Sequence, residues 1–347
     1  MKAAALGIVV TLATGSAFGG AGMSAPTRVG GKILLRGAGL YSVNPDGSGL
    51  RRIAADLPRP GQDVDAIVED AAWSPDGKRV AFTRYGAGLF VARGDGTSAR
   101  RLTRGLIDDP SWSPDGRSIV FSKGNDLDVA RTDGRVRVLV KGSDARWGVE
   151  PRWSRDGTHI AFVKRFDPRL GTPDQLWVVR PDGSGKRRVA TANEEESIYT
   201  APDWSADSHW IAYATEFVNG DVYLVRPNGT GKVNLTPSHD ALDGPRWAPI
   251  GDTIAYSARL PCGMLGPTEP CFSSQIVIHR TRTAPRERID EDEFAHDYGF
   301  AWSADASRLV FNRLLIVDEG VFMKRIGEPG LTLVISGDWV VLDWARK

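Results

Sequence analysis

The sequence predicts an all-β fold: a seven-bladed β-propeller of four-stranded antiparallel blades, closed by the C-terminal strand joining the first blade. Three observations predict it. Tryptophan recurs at Trp73, Trp112, Trp153, Trp204, Trp247, Trp302 and Trp344, at intervals of roughly 40 to 55 residues, and about 40–45 residues is the length of one four-stranded blade. The first six open variants of one phrase, Trp-Ser-Pro-Asp-Gly followed by a polar pair and a short apolar run. The two ends of the chain also hold complementary parts of a single blade.

Each element follows from its residues. In the copy at Trp112, the strand ending in Trp112 meets Pro114-Asp115-Gly116 and then Ile119-Val120-Phe121. Asp bonds the turn backbone and Gly takes the positive φ, so this step sets a hairpin. The triplets Val80-Ala81-Phe82, Ile160-Ala161-Phe162, Ile211-Ala212-Tyr213, Ile254-Ala255-Tyr256 and Leu309-Val310-Phe311 are apolar at every position, which marks a strand buried on both faces. A third strand such as Leu176-Trp177-Val178-Val179 follows, then a short polar fourth such as Arg100-Arg101-Leu102-Thr103, suited to an outer edge. Residues 32–53 supply strands two to four of a blade, and the stretch from Trp339 to Trp344 supplies its missing first strand, which closes the ring. Six blades result if residues 32–53 pack elsewhere. Ser208 and Ala306 stand where Gly is expected and Ile250 where Asp is expected, which predicts looser turns there.

Composition sets the compartment and excludes some functions. Residues 1–21 have the short basic, apolar and small-residue segments of a secretory signal, with cleavage expected between about 17 and 24, and residues 30–347 form a single propeller domain. The apolar run is too short for a bilayer-spanning helix, which needs about 20 residues, so the mature chain is expected to have no transmembrane segment and to be periplasmic or extracellular. A net charge of +1 gives no electrostatic footprint for nucleic acid. Cys262 and Cys271 are the sole cysteines, and export would place them where a disulfide forms. A monomer is expected.

The Trp-Ser-Pro-Asp-Gly phrase, the Arg180-Pro181-Asp182-Gly183-Ser184-Gly185 turn and the Leu235-Thr236 ending resemble the repeats of the TolB-like propeller family. Similar repeats occur in the propellers of prolyl-oligopeptidase-type and tricorn-type proteases. The resemblance covers the propeller and nearly all of the chain after residue 30; the N-terminal α/β domain of TolB has no counterpart in the residues before the first strand. It implies a fold and leaves function to specific sites.

The chain carries no Gly-x-Ser-x-Gly elbow, His-Glu-x-x-His or Cys-x-x-Cys motif. Gly183-Ser184-Gly185-Lys186 looks like part of a phosphate loop, but its recurrence as Gly47-Ser48-Gly49-Leu50 makes it a strand turn. His159 and His209 fall in turns and His279 on a third strand, so only His239 and His296 lie in connections that could reach the channel mouth. Two histidines without a third ligand are weak support for a metal site.

Loop length is more informative. The turns joining strands one to two and three to four are short, whereas the opposite face holds the insertions at 54–71, 165–175, 190–202, 258–275 and 290–300, and recognition usually resides in such loops. On that face a carboxylate precedes most tryptophans by one to five residues: Glu69, Asp109, Glu150, Asp203, Asp243 and Asp297. Two roles are open to them. They satisfy loop amides or pair with Arg152 and Arg246, or they ring the mouth and hold a cation or a basic peptide. The expectation is an exported, non-enzymatic propeller binding a protein or peptide partner through its long-loop face, with no cofactor. The alternative is a metal-assisted lyase or hydrolase acting on a glycan or peptide, with a divalent cation near His239 and His296.

Overall fold

The computed structural model describes residues 31–54, 67–142, 150–165, 173–192, 197–198, 200–215, 220–237, 241–264, 270–280, 285–289, 292, 295–314 and 319–345. The expected signal segment, His239 and parts of each long insertion, including most of 54–71 and 165–175, lie outside the described residues. Within them every regular element is a strand, and no helix is long and apolar enough to cross a membrane.

The strands form four-stranded antiparallel units, counted here in ring order. Unit one is composite: Val340–Trp344 pairs with Ile33–Gly37, followed by Gly39–Val43 and Arg51–Arg52. Its register sets Ile33 opposite Trp344, so the two ends of the chain are joined in one sheet. Units two to five begin with the strands Val68–Trp73, Ile107–Trp112, Arg152–Trp153 and Asp203–Trp204, each a simple meander. Units six and seven, beginning with Ala241–Trp247 and His296–Trp302, are merged into one eight-stranded sheet by a single parallel pairing, Ser274 with His296. The 258–275 insertion turns out to be largely strand. It lengthens the second and third strands of unit six into Thr253–Met264 and Pro270–Arg280.

Apolar triplets place the core between units. Phe82, Phe121, Phe162, Tyr213, Tyr256 and Phe311 are all essentially inaccessible, each burial contributing on the order of 1.5–3 kcal/mol. Seven apolar clusters result, and each is shared by two neighbouring units, including one between units seven and one. A unit therefore has no core of its own, which is why the ring must close.

The Ser-Pro-Asp-Gly step fixes the turn after each first strand. In unit two, the Ser74 hydroxyl donates to Asp76 (2.6 Å) and accepts from the Arg79 amide (2.9 Å), while the Gly77 amide donates to the Ser74 carbonyl (2.8 Å). The predicted loosening at Ser208 and Ala306 does not occur. Both hold the same turn bonds, 2.9 Å to the carbonyls of Ser205 and Ser303, with φ of 60° and 56°. The serine network retains the left-handed conformation at a cost of about 1–2 kcal/mol for a residue with a Cβ.

Neighbouring first strands are joined across the channel wall by two bonds that alternate. The Trp73, Trp153 and Trp247 amides donate to the side chains of Asp343 (2.8 Å), Ser111 (3.2 Å) and Asp203 (2.7 Å) of the preceding unit. The Trp112, Trp204 and Trp302 indoles instead donate to the carbonyls of Ala72 (3.0 Å), Arg152 (3.0 Å) and Arg246 (3.1 Å). Both acceptors belong to the residue just before a repeat tryptophan. At every second seam, then, the side chain at that position is left out of the ring's bonding.

Candidate functional site

The first strands enclose a cavity of about 450 Å³ in the centre of the ring. The residue before each tryptophan faces it: Ala72, Ser111, Arg152, Asp203, Arg246, Ala301 and Asp343. Their fates follow from the alternation. Asp203 and Asp343 are occupied as acceptors for tryptophan amides, and Asp343 takes a second amide, from Trp344 (2.8 Å). Burial still pushes the Asp343 carboxyl up to about 6 against those two bonds. Asp203 also lies 3.7 Å from Arg155. Arg152 and Arg246 are released. Arg152 donates only to the Pro151 carbonyl (3.0 Å), and among the described residues neither arginine has a carboxylate within ion-pair distance. Arg246 Nη1 is buried without a hydrogen-bond partner.

Two residues further toward the long-loop face stand Asp70, Asp109 and Glu150. Asp109 and Glu150 have left-handed backbone, φ 55° and 37°, and residues held there cluster at functional sites. Asp109 precedes Pro110 in a strand whose register shifts between Asp108 and Ser111. Burial raises the Asp109 carboxyl to about 6, opposed by Arg152 and reinforced by Asp70 and Asp108. Burial also raises Glu150 to about 7, although Arg165 donates to its Oε1; its Oε2 is buried without a partner. Asp70 is raised by burial, with Arg152, Arg246 and Arg36 opposing. Glu69, one position further out, reaches about 7 through burial and a hydrogen bond to the Asp108 carboxyl.

The six predicted acids do not form one ring. They occupy different registers because they precede tryptophan by one, three, four or five residues. Asp297 is fully buried and binds Arg313 through both oxygens, at 2.7 and 2.8 Å, a structural pair. Asp243 lies opposite Ser257 in its sheet, and its side chain is outside the described residues. Asp109, Glu150, Arg152 and Arg246 come together, with Glu69 beside them. The pairing of acids with Arg152 and Arg246 expected from sequence is electrostatic and at longer range than an ion pair. The sequence reading missed Asp70, Arg155 and Asp343. Their fixed offset from tryptophan, three before, two after and one before, was the signal available. His296 is exposed on the first strand of unit seven, paired with Leu314, and the described residues contain no group of three metal-ligating side chains. Cys262 and Cys271 lie on adjacent strands at a bulge where Gly263 faces Cys271; their side chains are outside the described residues.

The molecule is thus a β-propeller whose channel holds an arginine and carboxylate cluster with titrations displaced toward neutrality. No protein-family model matches the chain. Over 87 residues it is 30% identical to the actin-related protein 2/3 complex subunit 1 of Schizosaccharomyces pombe, covering 24% of this chain and 23% of that protein, so it spans about a quarter of the curated relative it matches. Among solved structures it is similar to an oligogalacturonate lyase in complex with manganese (13% identity, 87% of this chain, 88% of that one, TM-score 0.62). A puromycin hydrolase is also similar (17% identity, 90% of this chain, 55% of that one, TM-score 0.64). TolB from Acinetobacter baumannii is a further neighbour (12% identity, 90% of this chain, 82% of that one, TM-score 0.49). The shared fold corrects one expectation. Motif absence pointed to a non-enzymatic scaffold, yet propellers of this fold include a lyase and a hydrolase, so a missing motif is no ground for excluding catalysis.

Proposed function

We propose that the protein is an exported propeller that holds a segment of a protein or peptide partner at the long-loop end of its channel. The observation that carries this is that Arg152 and Arg246, neither in an ion pair among the described residues, line the channel cavity, with Asp109 and Glu150 on left-handed backbone within electrostatic range of them on the long-loop side. A buried charged nitrogen without an acceptor, as at Arg246 Nη1, is costly unless a bound group supplies one. The rim of that face supports the reading. Ile67, Tyr85, Leu106, Tyr298 and Leu314 expose 41–54% of their surface there, apolar surface that a bound partner would cover.

A photo-crosslinking residue at Leu106, on the long-loop rim, is expected to capture a partner in the producing cell, whereas one at Ile250, equally exposed on the short-turn face, captures none. Capture from Ile250 alone would overturn the proposal.

A second reading is favoured by Glu150 at about 7 and Asp109 at about 6: proton transfer to or from the bound segment. Catalytic acids and bases work best with such values near the operating pH, and the fold's neighbours include enzymes. Turnover of the captured partner that is lost in Glu150→Gln while capture persists would establish it.

Export rests on the signal-like residues 1–21, and N-terminal sequencing of the mature protein checks it. A Cys262–Cys271 disulfide fits their backbone positions on paired strands; the mass change on reduction and alkylation tests it.

A further inference from the structure

We propose that Arg152 and Arg246 together form a carboxylate-binding site in the central channel, so that the partner segment is anchored by an acidic side chain or a C-terminal carboxylate. This rests on the reading of the channel as a peptide-binding site and names the chemistry that anchors the peptide.

The fold supplies the two guanidiniums. At the seams between units four and five and between units six and seven, the ring bond is made by the Arg152 and Arg246 carbonyls, so their side chains carry no part of it. Both line the same cavity. On the intervening unit, Asp203 would be the obvious neutralising partner, but its Oδ2 already accepts the Trp247 amide at 2.7 Å and its Oδ1 faces Arg155 at 3.7 Å. Arg246 Nη1 is buried with nothing to donate to. A buried guanidinium nitrogen without an acceptor is costly, and an anion entering the cavity removes that cost.

The class of anion follows from geometry and surroundings. Planar guanidinium forks match the two oxygens of a carboxylate and fix its orientation. The cavity, at about 450 Å³, is within the range that holds a small ligand or one or two side chains. The acids facing the arginines are Asp70, Asp109 and Glu150, and burial raises all three. The geometry rather than their charge favours an anion: none of the three lies within ion-pair distance of Arg152 or Arg246 among the described residues, so neither guanidinium is neutralised. A basic segment would meet the two arginines instead.

The test uses the purified full chain and four probes at equal ionic strength: succinate, acetyl-trialanine with a free C-terminus, its C-terminal amide, and inorganic phosphate. Binding is followed by tryptophan fluorescence, since Trp153 and Trp247 adjoin the arginines, and by the thermal midpoint. Succinate and the free-acid peptide are expected to bind saturably and raise the midpoint. Arg152→Gln and Arg246→Gln each weaken them at least tenfold, Arg246→Lys less so, and the amide is silent. Equal binding of acid and amide overturns the carboxylate anchor but leaves the peptide reading intact. Phosphate binding without either carboxylate overturns the anchor as a carboxylate site and leaves the peptide reading to the crosslinking from Leu106. No saturable response to any probe overturns the inference, and the crosslinking from Leu106 then judges the peptide reading separately. Should Arg246→Gln fail to fold, Arg152→Gln and Arg246→Lys decide the outcome.

Discussion

Six seams of the ring and the seventh are built differently. Around units one to seven a tryptophan amide bonded to the preceding side chain alternates strictly with an indole bonded to the preceding carbonyl. Between units seven and one neither bond is present. The Trp344 amide turns to the adjacent Asp343 side chain, and its indole is buried without a partner. A two-state alternation cannot close on an odd number of units. The mismatch falls at the composite unit, where Asp343 accepts the Trp73 amide across the next seam and also the Trp344 amide of its own strand.

Asp343→Ala therefore has the largest expected effect. It strips an acceptor from the buried amides of both Trp73 and Trp344, each orphaned group costing about 1–3 kcal/mol, and partial relief from burying a carboxylate offsets some of this. A loss of about 2–4 kcal/mol in denaturant unfolding is expected. Asp203→Ala strips a single tryptophan amide, so about 1–3 kcal/mol is expected. Equal losses would show that the second bond of Asp343, to the Trp344 amide, adds no stability.

The occupied carboxylates differ from the strained ones in their response to pH. Glu150 is raised to about 7 from 4.5 by burial, and only 14% of its side chain is exposed. The folded state thus binds the proton more tightly than the unfolded state. Its stability contribution is complete below the unfolded value and is lost as pH rises through about 7. Relative to Glu150→Gln, the wild type is expected to lose about 3 kcal/mol between pH 4.5 and pH 8, since one pKa unit corresponds to about 1.4 kcal/mol. Parallel pH profiles of the two proteins would remove Glu150 from the set of groups displaced by the site.

Most of the scaffold was legible in the sequence, because the same physical requirement recurs in every repeat. Phe121 and its counterparts must fill a space between units, and Ser113, Asp115 and Gly116 must make the same turn. The complementary ends also predicted that the last strand joins the blade made by residues 32–53, as the pairing of Ile33 with Trp344 shows. The site was only partly legible. Counting any carboxylate within five residues of tryptophan merged Asp297, locked to Arg313, with Asp109, which accepts no hydrogen bond among the described residues. In a strand, one residue of register sends a side chain to the opposite face, and bulges such as the one between Asp108 and Ser111 shift that register in ways no spacing shows. Ser208 and Ala306 misled for a related reason: the turn is held by the serine at its start, so the loss of glycine strains it without opening it.

The smallest expected effect is the most discriminating. Arg152 and Asp203 hold the same position in adjacent units, and both line the cavity. If lining the channel made a side chain structural, removing either would cost similar stability. In Arg152→Gln the carbonyl that receives the Trp204 indole remains, and the side chain loses only its contact with the Pro151 carbonyl and long-range attraction to Asp70, Asp109 and Glu150. Against this, withdrawing a guanidinium that has no ion pair relieves its own desolvation. The net change in unfolding free energy is expected within about 0.5 kcal/mol of zero, alongside the tenfold loss of succinate binding. A stability loss matching that of Asp203→Ala would make Arg152 part of the scaffold, and the division of the wall into occupied and released positions would fail.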